Sequence, residues 1–461
     1  MAAVARRAER ALGSGWLALQ NALPAVLLAV AVVLGGGGSP TPSTELLLQL
    51  VTLLLLTVGI SAGVRPLALW RQDRHWAALM AAIVAFPLLQ LVPLPPALWS
   101  ALPRREAAAA LAAVGAGDSW HPWSLLPDGG IAAVLALIPA AVCALFVSRL
   151  AIPDRVRLMV GMTALGGIAA LTGIVQFIRG ADHPLSLYAD IHRGWGIGFF
   201  ANRNAQADLI AVALIAGVLL VDRYRERLTS PAAGAATGIG LLLLLAGGVA
   251  TGSRMGMAML VIPVLLALFL AGRRAPGLAA ALAAGAAVLL LGGTALDRVT
   301  ARAGDAGNRA EIWGDSVFVA RQVAPFGAGM GSFVPLYAAA ERLDHVQPTI
   351  ANRAHNDWLE LAIEGGVPAL LLLAVLLAFV GIRARRGWGD DDPDRRLLAR
   401  FAGLTMLVFA LHSTVDYPLR TLTLLTVAGL ALGGLARGIA FAPGGPHSVA
   451  QEQGFRGLSH A

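Results

Sequence analysis

The chain has 461 residues, of which 57% are hydrophobic and only 13% are charged. Soluble globular proteins carry about 25% charged residues, so this composition excludes an ordinary soluble protein. The formal net charge of +8 could suggest nucleic-acid binding, but every basic residue is an arginine, and the arginines fall in short clusters between apolar segments. That distribution is typical of membrane topology signals.

Apolar segments of about 18–22 residues recur along the chain, and each could cross a hydrocarbon core of about 30 Å. The sequence therefore predicts an all-α, polytopic membrane protein with about 12 transmembrane helices. The predicted spans are residues 16–36, 44–64, 76–94, 130–149, 157–178, 205–222, 234–251, 254–271, 277–296, 366–383, 397–413 and 418–438.

Arginine placement predicts the orientation of these spans. Of the 35 basic residues, 22 fall in alternate loops and at the two ends, which the positive-inside rule assigns to the cytoplasm. We therefore predict a bacterial inner-membrane protein with both termini cytoplasmic and its working surface on the periplasmic side. The first apolar segment is long enough to stay in the membrane, and no cleavable signal peptide is expected. The single cysteine, Cys143, lies in an apolar segment, which excludes a disulfide framework.

The loops divide the chain into four predicted parts. Residues 1–296 hold spans one to nine, residues 297–365 form a large periplasmic loop, residues 366–441 hold spans ten to twelve, and residues 442–461 form a disordered cytoplasmic tail. The loop is too long to serve only as a connection, and long loops are usually functional. Helical spacing is predicted from Asn308 to Arg321, and Asp357 to Glu360 resembles a capping box that opens a second helix.

Three arginines on the predicted outer face are not explained by the positive-inside rule alone. Arg254 lies in the short hinge 251–254, where it could either contact outer headgroups or bind an anion, and we favour the anion. Arg309 could pair with a nearby acid on an exposed helix face or bind substrate. Arg203, just before the sixth span, could contact headgroups or substrate about equally well.

His355 is the strongest candidate for proton transfer. It lies immediately before a predicted helix N-terminus, whose positive end would favour the neutral imidazole and so keep a base available. The alternative is a loop histidine that is satisfied by solvent or backbone. The adjacent capping box and the nearby membrane surface favour the functional interpretation.

Several other polar or glycine-rich segments have simpler explanations. Residues 326–331 (Phe-Gly-Ala-Gly-Met-Gly) lack the Gly-Lys-Ser/Thr of a P-loop, so we predict a turn that allows close backbone approach, with phosphate contact as a weaker option. Residues 390–392, three consecutive aspartates, are expected to form a solvated turn. His412 and Asp416 could support a site, although helix capping and packing would explain them as well.

These residues together suggest glycosyl transfer. The outer face of an inner membrane has no nucleotide pool, so a transferase there needs an activated, lipid-linked diphosphate donor. The charge of the leaving group must be stabilised by a metal or by arginine side chains, which bind phosphate with two hydrogen bonds. Arg254 and Arg309 could do this, and His355 could take a proton from the attacking hydroxyl.

The sequence resembles the O-antigen ligase and polymerase family of bacterial polyprenol-dependent glycosyltransferases. No single motif is specific, but the motifs occur in the family's order across residues 190–370. They are 198–204 (GFFANRN), 251–256 (TGSRMG), 308–313 (NRAEIW), 325–331 (PFGAGMG), 354–358 (AHNDW) and 364–366 (EGG).

This resemblance implies an all-helical membrane fold of the C type among glycosyltransferases and a metal-independent, inverting transfer. The implied donor is an undecaprenyl-diphosphate-linked glycan, the implied acceptor is a glycan or lipid A-core, and no cofactor, metal or nucleic acid is implied. Arg254 and Arg309 would hold the diphosphate, and His355 would activate the acceptor hydroxyl. Substrate contacts are further predicted at Arg203, Asn202, Asn204, Asn356 and Asp357.

The family divides by acceptor into ligases, polymerases and enzymes that glycosylate proteins. The Asn202-Arg203-Asn204 segment resembles exopolysaccharide polymerases somewhat more than ligases, but it does not decide between them. A transporter of lipid-linked glycans is the alternative from another class. A transporter is expected to place polar groups in mid-span and to show repeat symmetry. Spans that are nearly free of charge favour the enzyme.

Overall fold

A computed structural model describes residues 2–37, 42–66, 68–180, 185–189, 191–271, 304–346 and 350–437. The ninth predicted span, 277–296, and the predicted tail, 442–461, lie outside these residues. Within the described residues the fold is almost entirely helical, as the composition predicts. The one sheet found there is a two-residue antiparallel ladder in which Pro93 pairs with Pro122 and Leu94 pairs with His121.

The helices are numbered here in chain order over the described residues. They are α1 Ala2–Leu34, α2 Pro42–Ser61, α3 Ala68–Gln72, α4 Arg74–Leu89, α5 Pro96–Ser100, α6 Ala107–Ala113, α7 Pro127–Arg149, α8 Ile152–Arg179, α9 Arg203–Tyr224, α10 Pro231–Ala250, α11 Arg254–Ala271, α12 Gly304–Val323, α13 Phe333–Ala340, α14 Asp357–Trp388, α15 Pro393–His412 and α16 Leu422–Gly434. Strands β1 Pro93–Leu94 and β2 His121–Pro122 and the 3₁₀ turns Arg225–Arg227 and Pro418–Arg420 complete them.

Six of these helices, among the residues described, are long and apolar enough to cross a membrane: α2, α7, α8, α9, α10 and α14. Shorter apolar helices occur within α1, α4, α11 and α16. Eleven of the twelve predicted spans coincide with a helix. The protein is therefore a multi-pass membrane protein, while the count of twelve spans stays a prediction.

Helix α9 lies at the centre of the bundle and contacts α8, α10, α11 and α15. Its side chains are buried almost without interruption from Ala205 to Gly217. A helix that is apolar on every side is stable only when other helices surround it. Because α9 begins at Arg203, its packing in the bundle also fixes the position of this predicted site residue.

Small residues let the surrounding helices approach closely. A Cβ on Gly166 would overlap Ala213, and one on Gly247 would overlap Ala170, so α8 meets both α9 and α10 at glycines. Gly429 of α16 packs in the same way on the backbone of Ala140 in α7. Membrane helices associate largely through such close packing, because lipid removes most of the hydrophobic driving force between them.

The segment between α11 and α14 is built against the bundle, as far as it is described. Helix α12 confirms the helix predicted from Asn308 to Arg321 and packs against α14. Helix α14 breaks at Gly366 (φ 60°, ψ −156°), where the sequence predicts that a loop helix ends and a span begins. A Cβ on Gly366 would overlap the Pro325 carbonyl oxygen, so glycine is required at this break.

The capping box predicted at Asp357–Glu360 is displaced by one residue. Asn356 is the N-cap, and its side-chain oxygen accepts a hydrogen bond from the Leu359 N–H. Glu360 instead accepts from the Ala354 N–H at 3.0 Å. The sequence offered two capping residues in succession, and Asn356 takes the position because Asp357 is drawn into contacts with the end of α15.

Candidate active site

The site is centred on the turn between α15 and the 3₁₀ turn that precedes α16. The Asp416 N–H donates to the His412 carbonyl at 2.9 Å, which continues the last turn of α15 and fixes the position of Asp416. The carboxylate of Asp416 is almost completely buried. A buried carboxylate is costly unless it is paired, so its partners define the site.

Three side chains from distant parts of the chain contact this carboxylate. His355 Nδ1 lies 3.3 Å from Asp416 Oδ1, and Arg309 Nη2 lies 3.9 Å from Asp416 Oδ2. The Asn204 amide donates a hydrogen bond to Asp416 Oδ2. Asp416 thus joins the start of α9, helix α12 and the segment before α14 at one point.

The partners keep Asp416 ionised. Burial alone would raise its pKa, but the hydrogen bond with His355 and the electrostatic influence of His355, His412 and Arg309 hold the pKa far below its ordinary value. Burial and the Asp416 charge raise the pKa of the neighbouring Tyr417. The Tyr417 ring lies against the His355 ring, with centroids 5.0 Å apart.

A second buried pair lies one turn deeper. His412 Nδ1 lies 2.6 Å from Asp208 Oδ1, and both side chains are essentially inaccessible to solvent. This pair joins α9 to α15 directly below the Asn204–Asp416 contact. Asp208 lies inside the predicted sixth span, so it is an exception to the expectation of nearly charge-free spans.

Arg309 and His355 are only partly exposed, with 30% and 26% of their side chains accessible. Both therefore remain open to a substrate while they contact a buried carboxylate. Because His355 turns Nδ1 toward Asp416, its Nε2 is the ring atom left to accept a proton. The arrangement can orient a histidine base and stabilise the imidazolium that forms.

Trp195 connects Arg203 to the hinge that precedes α11. The Arg203 guanidinium lies over the Trp195 ring, 4.8 Å from its centroid. Gly252 has a φ of 56°, and a Cβ there would overlap the same ring. The hinge 251–254 and the start of α9 therefore share one aromatic side chain.

The first turn of α11 also packs directly on α9. A Cβ on Gly256 would overlap the Ala207 side chain, and Ser253 Oγ accepts from the Gly256 N–H at 2.9 Å to cap α11. These contacts place Arg254, the exposed first residue of α11, beside the helix end that carries Arg203 and Asn204. The segments that carry the predicted arginines thus meet at the N-terminal end of α9.

A buried ionic cluster lies beside the Asp416 turn. Arg420 Nη1 lies 2.9 Å from Glu364 Oε2, Nε lies 3.4 Å from Asp357 Oδ1, and Nη2 lies 3.5 Å from Glu360 Oε1. Arg353 Nη1 pairs with Glu360 Oε1 at 3.0 Å. The three acids lie on one face of α14, at spacings of three and four residues.

An apolar cavity of about 600 Å³ opens between α4, α7, α14, α15 and α16. Its walls are mainly aliphatic, and along α14 they include residues on both sides of the break at Gly366, from Asp357 to Leu377. One end is polar and includes Arg353, Asp357 and Arg420. The cavity therefore ends beside the segment that carries His355.

Residues 239–374 match the family model described as O-Antigen ligase. This match supports the O-antigen ligase/polymerase family that the motifs of the sequence resemble. The match includes Arg254, Arg309 and His355, whereas Asp416 and Arg420 lie beyond it. No curated protein matches the chain.

The predicted site residues fall into two groups according to what their side chains contact. Arg203, Arg254, Arg309 and His355 lie around the start of α9 and the Asp416 turn. Asn202 caps α9 by accepting from the Asn204 N–H at 2.8 Å, and Asn356 caps α14. Asp357 accepts from Ser413 Oγ at 2.8 Å. In this second group, Asn202, Asn356 and Asp357, the side-chain oxygens therefore accept hydrogen bonds from other groups of the protein.

The glycine-rich segment 326–331 makes the close backbone approach that its sequence predicts. Gly327, Gly329 and Gly331 all have positive φ, and a Cβ at any of them would overlap neighbouring atoms. The weaker option of phosphate contact is wrong for its amides. The N–H groups of residues 328 to 331 donate to Ile363, Glu364 and Gln90 instead.

Sequence reasoning missed several residues that build the O-antigen ligase site. Arg420 and Asp208 were not predicted, Glu364 entered only through the motif 364–366, and Asp416 was left open between support of a site and helix capping or packing. The available signal was a set of charged residues within or beside otherwise apolar helices, since such groups must find buried partners. The three aspartates 390–392 do form a turn, in which Asp392 caps α15.

Proposed function

We propose that this O-antigen ligase family protein is a glycosyltransferase of the periplasmic membrane face. It moves a glycan from an undecaprenyl-diphosphate carrier to an acceptor hydroxyl. The observation that carries the proposal is the contact of His355 with the buried Asp416, with Arg309 beside it. These residues come from segments far apart in the chain, yet they meet at one partly open position.

His355 is the proposed general base. The acceptor hydroxyl gives its proton to His355 Nε2 while its oxygen forms a bond to the anomeric carbon of the donor. The bond from that carbon to the diphosphate breaks, and the diphosphate leaves with the bonding electron pair, so the anomeric configuration inverts. Asp416 holds the ring through Nδ1 and stabilises the imidazolium that results.

Arg309 and Arg254 are the proposed partners of the diphosphate. A guanidinium can donate two parallel hydrogen bonds to phosphate oxygens and remains charged at every physiological pH. Charge that develops on the leaving diphosphate would be stabilised without a metal ion. Arg203 is proposed as a third contact, because its guanidinium lies on Trp195 beside the Arg254 hinge.

The apolar cavity fits the hydrocarbon part of a lipid-linked substrate. Its mainly aliphatic walls continue along the spanning part of α14 as far as Leu377. Its polar end lies beside the loop that carries His355. A lipid chain held there would keep its head near the reacting atoms and limit the search for a productive orientation.

Purified protein in proteoliposomes with an undecaprenyl-diphosphate glycan and a lipid-linked acceptor tests the proposal. His355→Ala should lower the transfer rate roughly 10²–10⁴-fold, the usual contribution of a general base. His345→Ala is the matched control, because His345 also follows α13 but pairs with Asp315 away from Asp416. The control should transfer at the wild-type rate, and a chelator should change neither protein.

Other outcomes would contradict specific parts of the proposal. Full activity of His355→Ala would reject His355 as the base, and loss of activity with chelator would reject a metal-independent reaction. Movement of the lipid across the bilayer without any product would favour the transporter. Where product forms, its linkage distinguishes a ligase from a polymerase.

A further inference from the structure

The backbone of His355 adopts an unusual conformation for a residue that is not glycine. Its φ is 49°, in the left-handed region that residues with a Cβ seldom occupy. Such conformations persist where surrounding contacts over-determine them, and they often occur at functional sites. The question is which contacts hold His355 in this state.

The residue before His355, Ala354, is held through both of its backbone polar groups. The Ala354 N–H donates to Glu360 Oε2 at 3.0 Å, and the Ala354 carbonyl accepts from Trp313 Nε1, also at 3.0 Å. The Arg353 side chain adds a contact of 3.0 Å to the other oxygen of Glu360. Glu360 therefore binds both residues that precede His355.

The residues after His355 are held by the start of the helix. Asn356 caps α14 through Leu359, and its side-chain amide donates to the Thr414 carbonyl at 3.0 Å. The Asp357 N–H donates to the Ser413 carbonyl at 2.9 Å. Contacts on both sides of His355 therefore restrict its backbone.

Glu360 differs in one respect from the other acids around Arg420. Glu360 and Glu364 are both fully buried, and both approach the Arg420 guanidinium. Glu364 turns its other oxygen to the Gly331 N–H, on the far side from His355. Of these two acids, only Glu360 contacts Ala354, the residue before His355.

We propose that Glu360 is a positioning residue for His355. It holds the Ala354 peptide so that His355 keeps its left-handed backbone and directs Nδ1 at Asp416. Arg353 and Arg420 keep the Glu360 carboxylate charged within the interior. This inference rests on the proposed role of His355 as the base. The alternative is that Glu360 serves only as one charge in a structural ion cluster.

Shortening the side chain while keeping its charge separates these two roles. Glu360→Asp still balances Arg420 but withdraws the carboxylate from the Ala354 N–H. We expect kcat to fall about tenfold or more with an unchanged KM for the donor, because small misplacements of a reacting group have large effects on rate. Glu364→Asp makes the same change one turn later and should lower kcat by less than about threefold.

A third variant keeps the test decisive if either acid variant unfolds. Trp313→Phe removes only the N–H that binds the Ala354 carbonyl, and it should lower kcat while leaving the donor KM unchanged. Combined with Glu360→Asp, its effect should be less than the product of the two single effects, since both side chains hold the same residue, Ala354.

Several results would overturn the positioning role. These are a wild-type kcat in Glu360→Asp, equal losses in the two acid variants, or a wild-type kcat in Trp313→Phe. Failure of the proposed function would be seen separately, as absence of transfer in the wild-type protein itself.

Discussion

Asp416 and Arg420 are four residues apart, and the clusters around them have opposite charge arrangements. Asp416 is a single buried carboxylate approached by His355 and Arg309. Arg420 is a single buried guanidinium approached by Asp357, Glu360 and Glu364. In each cluster one central charge is surrounded by several opposite charges.

The clusters differ in what solvent can reach. His355 and Arg309 are about one-quarter to one-third exposed, so an anionic substrate could contact the same side chains that Asp416 holds. Glu360 and Glu364 have no exposed side-chain surface. The comparison indicates that a charge cluster open to solvent can take part in a reaction. A cluster closed to solvent can instead stabilise the fold.

Electrostatics keep both central groups ionised. Burial would lower the pKa of Arg420, but the charges of Glu360, Glu364 and Asp357 raise it above its ordinary value. The pKa of Asp416 moves the other way and is lowered by its cationic neighbours, although burial opposes this shift. Removing the Arg420 charge would therefore leave buried carboxylates without compensation, whereas His355 and Arg309 beside Asp416 are partly open to solvent.

The closed cluster should give the largest effect on stability. Arg420→Met leaves three buried carboxylates without their shared partner, and breaking a buried ion pair usually costs about 3–5 kcal/mol. We expect a large fall in the thermal unfolding midpoint in detergent or nanodiscs. Arg342→Met, at an exposed arginine paired with Asp344, is the control and should leave the midpoint unchanged. An unchanged midpoint in Arg420→Met would show that the cluster does not hold the fold.

The open cluster should affect the rate more than the fold. Asp416→Asn keeps the shape of the side chain but loses the charge that stabilises the imidazolium of His355. We expect kcat to fall about 10²-fold, within the range of general-base effects, with a smaller loss of stability than in Arg420→Met. Asp344→Asn changes an exposed aspartate and serves as the control. Equal kcat in both variants would contradict the pairing of Asp416 with the base.

A single partly buried contact outside both clusters should give the smallest effect. His345 Nδ1 lies 2.8 Å from Asp315 Oδ2, and this hydrogen bond raises the pKa of His345 above its ordinary 6.5. A raised folded-state pKa means that the contact stabilises fully below about pH 6.5 and is lost as pH rises through the folded value.

Hydrogen exchange in α12 and α13, corrected for intrinsic rates, should therefore become faster as the pH rises from about 5.5 to 8.5. The Asp315→Asn variant should lose most of this pH dependence. If the wild type and the variant respond alike, the contact does not hold these helices together.

The sequence was sufficient for features that depend on local pattern. Apolar length predicted the helices, and glycine spacing predicted the close approach at residues 326–331. The orientation taken from the positive-inside loops stays a prediction. Motif order gave the family and drew attention to Arg309 and His355. Each of these signals lies within a window of at most a few dozen residues.

Long-range pairing could not be obtained in the same way. His355 contacts Asp416 across a separation of 61 residues, and Asn204 contacts the same carboxylate across 212 residues. No periodicity in a single sequence specifies such partners. The displaced cap at Asn356 has the same origin, because Asp357 is a good N-cap locally but is engaged by Ser413.

The buried Asp208–His412 pair has a consequence for how the protein is made. The two residues are 204 positions apart, so α9 is synthesised long before its partner in α15 exists. Until then a carboxyl group within the central helix lacks its imidazole, and an unpaired carboxyl group in a membrane helix is costly. We therefore expect the last helices to complete the assembly, and a chain that ends before α15 to be degraded by membrane quality control.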